Sequence, residues 1–558
     1  MKATAAQQEI TEPAGPEPGR RTRGNGASYE HPAAFRIGVG ITTIGVLLQL
    51  PMFYSARDMH YQLAGMPLTH EMTIGMALIL LGIACTFYSL FPRRKLTGTS
   101  QRISITPLDD APITSAHIAL LAVIAVAITI DVMKPVAFAF LTPGAANEYG
   151  LRGPLHPHAD AWPVGLYPLA GIGGTMIGSF LWGWLGDRIG RRASILLSAV
   201  IFIATSCCGT MPEFWMNLVT CFVMGLGVGG MLPITFTLLS ETVPRRHRGW
   251  MMVLIGSDIA GAYIIVSWLS ATWASPEHFG WRLLWLIGLP TGLILLLLNR
   301  WIPESPRFLL QQGRIHEAHA VMRRYGAHIV ETESEPAVEQ DPHGGSTRLF
   351  TRAFLGLSAA VVLLAVSIGT TQYGFQQWMP SNLQRLGFSE TNASTLLRNA
   401  AILGFPFSVP VALLYGFWSS KKTVILVSAV MSAALAAFAI LGDHVVDNRA
   451  LLYVLLVIPV WGISILNSVL AAYTAEVYPT VIRARGSGLS AGATKAGGVF
   501  ILATVVMAIA APSVRATAAL GVIPLTLAIV ALIAFGPETR HRQLESIGSS
   551  RPTRLTTK

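Results

Sequence analysis

A chain of 558 residues with 52% hydrophobic and only 12% charged side chains carries about half the charged share of a soluble globular protein, which is about 25%. This excludes a water-soluble multidomain protein. The excess of 40 Lys and Arg over 29 Asp and Glu, a net charge of +11, suggests nucleic-acid binding in a soluble chain, but in a membrane protein it marks the cytoplasmic loops.

Residues 1–35 are polar, rich in Pro and Gly, and lack a charged-then-apolar leader, so they predict a disordered cytoplasmic tail. Fourteen apolar runs follow, each near the roughly 20 residues that cross a bilayer as a helix. Two of them, 37–54 and 72–91, contain no charged residue and make an N-terminal unit over 36–95. Six more, at 115–142, 162–185, 193–211, 214–239, 250–273 and 283–302, make a unit over 115–302. A polar linker, 303–352, contains an amphipathic helix over 307–326 and an acidic stretch over 328–347. The last six runs, at 353–378, 399–417, 423–441, 451–473, 487–511 and 516–536, make a unit over 353–536, and 537–558 is a second cytoplasmic tail. Backbone groups have no water to bond in hydrocarbon, so an all-α polytopic membrane protein is expected, with membrane lipid around it.

Placing the N-terminus in the cytoplasm puts 31 of the 40 basic residues on the cytoplasmic side, seven outside and two, Lys134 and Lys495, within spans. That asymmetry orients both termini inward, in an inner (plasma) membrane, and leaves no need for a nucleic-acid partner. The four cysteines, Cys85, Cys207, Cys208 and Cys221, all fall within spans and are expected to pack as small apolar groups.

The chain repeats itself. Glu241, Pro244 and Arg248 recur as Glu476, Pro479 and Arg483, 235 residues on, and GWLGDRIGRR from Gly183 recurs in part as GFWSSKK from Gly416. Two six-helix halves follow, related about an axis along the membrane normal, an arrangement that places a solute site between repeats. The loop GWLGDRIGRR, with Gly183, Asp187, Arg188, Gly190, Arg191 and Arg192, resembles the signature of the major facilitator superfamily. The resemblance implies a 12-helix core of two bundles, here with two extra N-terminal helices, 14 in total. It also implies a transporter rather than an enzyme, working by alternating access. Glu241, Arg248, Glu476 and Arg483 then join the signature residues as a conformational gate.

FVMGLGVGGMLPITFTLLSETVPRRHRG, PESPRFLL and GPETR are similar to the sugar-porter and metabolite:proton-symporter branches. YTAEVYPTVIRARGSG is similar to the branch of synaptic-vesicle-glycoprotein-like, organic-ion and aromatic-acid transporters. Sugar porters carry paired Gln residues in core helix 7 and a Trp in core helix 10. Here Ile368, Gly369 and Ala471 stand at those places, which disfavours hexoses. Proton-coupled relatives pair an Asp in core helix 1 with an Arg in core helix 4. Asp131 resembles the first, but Cys221 stands at the second.

An ionisable group at membrane depth costs about 2.5–3.5 kcal/mol, so each is a functional candidate. Asp131 and Lys134, three apart, share a helix face about 24 Å from the cytoplasmic end, and Lys134 is expected to serve as the cation in cis. Asp258 and Lys495 lie near mid-membrane in repeat-related helices. Asp131, Lys134 and Asp258 are the proton-coupling candidates, with a fixed ion pair as the alternative use of the first two. Lys495 is the counter-charge for an anionic substrate, with Gln372, Gln376, Asn467 and Tyr473 as further substrate residues and Trp378 as an interfacial belt residue. His156, His158 and Asp160 sit in a short loop that seldom completes a metal site, and no phosphate-cradling loop is present, so neither metal nor cofactor is expected.

The expected function is proton symport of a small organic solute, an organic or aromatic acid before a hexose, by a monomer. A proton-antiport exporter of drugs or metabolites is the alternative, and a transport-inactive membrane sensor a third.

Overall fold

In the computed structural model the chain is described over residues 31–91, 111–153, 155–156, 159–275, 277–327, 354–478, 480–507 and 513–539. The tail expected over 1–35 falls outside this set as far as residue 30, as do the acidic stretch 328–347 and the C-terminal tail beyond 539. The described elements are helices, with one isolated bridge between Arg152 and Pro163.

In chain order the long helices are α1 (Pro32–Ser55), α2 (His70–Leu90), α3 (Ser115–Glu148), α4 (Leu166–Ile189), α5 (Arg191–Thr210), α6 (Phe214–Leu239), α7 (Arg246–Ala271) and α8 (Leu283–Trp301). Two short helices follow, α9 (Pro306–Gln311) and α10 (Ile315–Arg324). The chain continues with α11 (Leu355–Arg385), α12 (Glu390–Trp418), α13 (Ser420–Asp447), α14 (Arg449–Val477), α15 (Thr480–Met507) and α16 (Val514–Phe535).

Thirteen helices among the described residues are long and apolar enough to cross a membrane. The fourteenth expected span, 162–185, corresponds to α4, a 24-residue helix outside that group because six glycines dilute its apolar run. Those glycines serve packing: a Cβ at Gly174 would strike the Phe222 carbonyl of α6, and one at Gly225 of α6 would strike the Gly171 carbonyl of α4. Small residues let two backbones touch where lipid offers no hydrophobic drive for association.

The amphipathic helix expected over 307–326 is two helices. Gly313 sits at φ 70 between α9 and α10, a left-handed turn that ends a helix and that residues with a Cβ seldom adopt.

The extra helices α1 and α2 form a hairpin on the same close-contact principle. A Cβ at Gly45 would lie 2.7 Å from the Gly75 carbonyl, and one at Gly75 would lie 2.6 Å from the Gly45 carbonyl. Gln49 donates to the Met72 carbonyl (3.2 Å) and accepts from Thr210 of α5 (3.3 Å). Val46, Met52, Phe53, Leu63 and Ile79 share an apolar cluster with Ile203, Cys207 and Met211, so the hairpin is seated on α5.

Two irregularities position the site. α7 tightens at Ser257 and Asp258, which keep right-handed helical dihedrals while the Asp258 N–H bonds the Ile255 carbonyl (3.2 Å) and the Ala260 N–H the Ser257 carbonyl (3.0 Å), a 3-10-type turn. α11 widens into a π-helical turn over Thr371–Gln376, a form that recurs at functional sites.

Candidate functional site

Asp131 lies on α3, buried to 2% exposure, and the charge that acts on it is Lys495 of α15, which is half-buried and forms no ion pair with it among the described residues. Tyr373, in the π-helical turn of α11, also lies within the field of Asp131. Its ring packs where a Cβ at Gly498 would be, one turn beyond Lys495. One oxygen of Asp131, Oδ1, is buried without a hydrogen-bond partner among the described residues. Buried polar atoms are nearly always bonded, so an orphan on this carboxylate marks a place for water, a proton or a solute.

Lys134 is directed elsewhere. Among the described residues no ion pair joins it to Asp131; its ammonium donates to the Trp285 carbonyl (3.4 Å), lies 5.2 Å from the Trp285 ring, and neighbours Cys207, Cys208 and Cys221. Lys134 is therefore not the cation beside Asp131, and the charge that acts on that carboxyl is Lys495 of α15. Spacing places two residues on a helix face, but the neighbours they meet depend on how that helix is rotated. A cavity of about 10 Å³, at the size of a single water, adjoins Lys134, Ile130 and Gly288.

Asp258 accepts a hydrogen bond from Thr129 of α3, two residues before Asp131, so the tight turn in α7 and the charged face of α3 belong to one region. Gln372 accepts from Asn467 (3.4 Å), and Gln376 donates to the Val460 carbonyl (3.4 Å); these bonds join α11 to α14 beside the same turn. Tyr473 is carried away from them. It lies in the last turns of α14, and its hydroxyl donates to the Pro537 carbonyl (2.8 Å), a structural tie rather than a wall of the cavity.

Trp378 is not an interfacial belt residue. It is 1% exposed, with its Nε1 unbonded among the described residues and its ring against Gly165 of the other half. Nearby, Gln377 donates to Thr142 of α3 (3.4 Å), and Ser270 and Ser394 hydrogen-bond across the halves (3.1 Å).

The candidate gate lies at the Arg-rich end. Gly190 has φ 94, a conformation glycine adopts freely, and separates α4 from α5. The side chains of Gly183, Asp187 and Arg483 fall outside the described ones. Arg188 stacks on the Trp184 ring (4.1 Å), Arg191 donates to the Gly186 carbonyl (2.9 Å), and Arg192 bonds Asn299 through its side-chain oxygen (2.6 Å) and carbonyl (3.1 Å). Glu241 accepts from Ser305. Glu476 accepts from Tyr415 (2.9 Å) and Thr539 (2.8 Å), and the charge that acts on it is Arg248 of the other half.

Sequence reasoning missed two further carboxylates. Glu304 accepts the backbone N–H of Arg191 (2.8 Å), Arg192 (3.4 Å) and Ser305 (3.1 Å), and so caps the start of α5. Glu538, 234 residues on, accepts the N–H (3.0 Å) and hydroxyl (2.6 Å) of Ser420 and caps α13. Nearly the same offset, 234 for the hydroxyls and 235 for the carboxylates, relates Ser305 on Glu241 to Thr539 on Glu476. A longer self-comparison would have exposed the signal, because PES at 303 and PET at 537 are a third copy of the repeat.

A bundle of membrane-length helices with ionisable groups buried in its core and capped helix ends at its Arg-rich end is the architecture of a secondary transporter of the major facilitator superfamily, not an enzyme. Its fold aligns with that of the proton:xylose symporter XylE (TM-score 0.62, 18% identity, 78% of this chain and 98% of that one). The inward-open structure of XylE from Escherichia coli also aligns (TM-score 0.57, 18% identity, 77% and 99%). The model of the family described as sugar (and other) transporter matches residues 149–550, and the chain belongs to that family. Among curated relatives, the niacin transporter NiaP of Acinetobacter baylyi is 28% identical over 80% of this chain and 99% of its own length. The 4-hydroxybenzoate transporter PcaK of the same organism is 26% identical over 70% and 85%. A gentisate transporter of Corynebacterium glutamicum is 26% identical over 61% and 72%.

Proposed function

We propose that this protein imports a small aromatic carboxylate together with a proton. Asp131 and Lys495 form the coupling pair, and their facing across the two halves is the observation that carries the reading. The niacin, 4-hydroxybenzoate and gentisate transporters share one ligand chemistry, a single ring bearing a carboxylate, and that chemistry suits an ammonium flanked by aromatic and amide side chains.

The mechanism follows from charge balance. With Asp131 ionised, Lys495 is neutralised from within the protein and has little to offer an incoming anion. A proton on Asp131 removes that competitor and leaves the ammonium for the substrate carboxylate, while Gln372, Gln376 and Asn467 orient the ring. In either loaded or empty form the charge on Asp131, Lys495, proton and solute sums to zero, so the halves can rock without this set leaving a lone ion in low dielectric. Asp258, in the tight turn of α7, serves as the second proton-accepting candidate, and Lys134 holds the α3 face.

The chain crosses the plasma membrane 14 times as a monomer, with both termini cytoplasmic. Residues 115–302 and 353–536 form the two rocking halves, and 36–95 the added hairpin. Gly183, Asp187, Arg188, Gly190, Arg191, Arg192, Glu241, Arg248, Glu476 and Arg483 form the inner gate.

Proteoliposome uptake tests this. Labelled nicotinate or 4-hydroxybenzoate should accumulate under an inward proton gradient and not under a membrane potential alone, because one proton with one anion moves no net charge. Accumulation driven by potential in the absence of a proton gradient would overturn the coupling scheme.

A further inference from the structure

The loop between α1 and α2 does more than join two helices. Glu148, the last residue of α3, is paired with Arg282 at 2.7 Å, with side chains 3% and 1% exposed. Arg282 Nε reaches both carboxylate oxygens (3.2 and 3.1 Å), and Trp281 donates to Oε2 (2.8 Å). The rest of the acceptor capacity of Glu148 is taken by the hairpin loop, where the N–H groups of Leu63 and Ala64 donate to Oε1 at 2.6 and 3.0 Å. To deliver them the loop holds two non-glycine residues, His60 and Tyr61, at φ 53 and 58, a region that side-chain-bearing residues seldom occupy. Gly65 N–H donates to the Pro212 carbonyl (3.3 Å), and Tyr61 packs on Phe279 (5.4 Å between rings), so the loop also touches the connections before α6 and α8.

From this clamp a continuous polar chain runs inward. Arg282 donates to the Tyr149 hydroxyl (2.9 Å), which also accepts from Asn217 (3.2 Å). Asn217 accepts from Tyr167 (3.3 Å), the Tyr167 hydroxyl accepts from Trp285 Nε1 (2.7 Å), and the Trp285 carbonyl and ring hold the Lys134 ammonium. Members of such a buried network fix one another's geometry, because a broken link leaves a polar group without a partner.

We infer that the hairpin loop, Glu148, Arg282 and Tyr167 are positioning residues for transport: the loop locks the Glu148–Arg282 clamp, and the clamp fixes Lys134 through Tyr149, Asn217, Tyr167 and Trp285. The two extra helices are thus a working part of the first half. The consequence for transport rests on the proposed function above; the mechanical link to Lys134 does not.

The thiols of Cys207, Cys208 and Cys221 around Lys134 report that link without any substrate. In a full-length Cys85→Ser background, N-ethylmaleimide modification of these three is followed by peptide mass spectrometry, beside nicotinate uptake. Glu148→Gln should raise the labelling rate roughly tenfold or more and raise KM for nicotinate. Tyr167→Phe, which removes one hydroxyl and leaves the clamp, should do the same at Cys208 and Cys221, and it decides the matter should Glu148→Gln fail to insert. The exchange Glu148→Arg with Arg282→Glu should not restore the wild type, because Arg at 148 cannot accept from Leu63 and Ala64. Unchanged labelling in Tyr167→Phe, or full restoration by the exchange, overturns the chain. Faster labelling with unchanged uptake kinetics overturns its role in transport. A wild type that takes up no nicotinate counts against the proposed substrate alone, and the labelling still decides the link.

Discussion

Asp131 on α3 and Lys495 on α15 answer each other across the two halves, while Lys134, one helical turn from Asp131, turns away to the Trp285 carbonyl 3.4 Å from its ammonium. In the proposed mechanism the charge that acts on Asp131 therefore sits on a helix that moves relative to it. A partner on the same helix would travel with it and could not report the state of the interface.

Neutralising either member should harm the protein more than neutralising both. Removing Lys495 leaves the buried Asp131 without the charge that acts on it, whereas removing both leaves no unmatched charge; with Lys495 half-buried and no ion pair between the two among the described residues, the loss should fall below the roughly 3–5 kcal/mol of a fully buried pair. Asp131→Asn and Lys495→Gln should each lower the melting temperature in detergent, and the double variant should recover most of the loss. The double variant should nevertheless remain unable to accumulate substrate against a gradient. Additive losses in the double variant would show that the two groups are energetically independent.

The helical spans were legible in the sequence because membrane crossing imposes length and composition on each segment separately. The partners of the candidate residues depend on tertiary rotation, and there spacing misleads. Lys134 shares a face with Asp131 yet reaches α8, and Tyr473 occurs in a run resembling transporter motifs yet ties α14 to Pro537. Trp378 reads as a belt residue by type, since Trp is common at the bilayer interface, but it is buried inside the bundle. Glu304 and Glu538 were within reach, because both sit in copies of one short motif.

Glu304 should make stability fall as pH rises. Burial pushes its carboxyl above the ordinary carboxylate range, an effect that outweighs the N–H groups of Ser305, Arg191 and Arg192 that favour the ion. A folded pKa above the unfolded one means the folded state holds the proton more tightly. The contribution is then complete below the unfolded value, about 4.3, and is lost as pH climbs through the folded one. Melting temperatures from pH 4 to 8 should decline in the wild type more steeply than in Glu304→Gln, which keeps the acceptor but does not titrate. Parallel profiles would rule out this contribution.

Gly190 admits no side chain. At φ 94 a Cβ would lie 2.6 Å from Glu304 Oε2 and 2.8 Å from the Phe308 ring, so Gly190→Ala must displace the cap on α5 as well as strain the backbone. Such strain costs about 1–3 kcal/mol. The variant should lose that stability and transport more slowly, with KM little changed because the gate and not the solute contacts is disturbed. An unaltered Vmax would separate Gly190 from the gate.

Asn467 and Tyr473, six residues apart on α14, should part company when substituted. Asn467 donates to Gln372 (3.4 Å) beside the π-helical turn, so Asn467→Ala should raise KM for the aromatic acid by roughly tenfold, the worth of one hydrogen bond to a charged or polar ligand group. Tyr473→Phe loses the bond to Pro537, which is worth about 1 kcal/mol of stability, and should leave KM where it was. Both are read from initial rates of nicotinate uptake alongside melting curves. The reverse outcome, a raised KM in Tyr473→Phe and none in Asn467→Ala, would move the solute site toward the Arg-rich end of the bundle and away from Asp131 and Lys495.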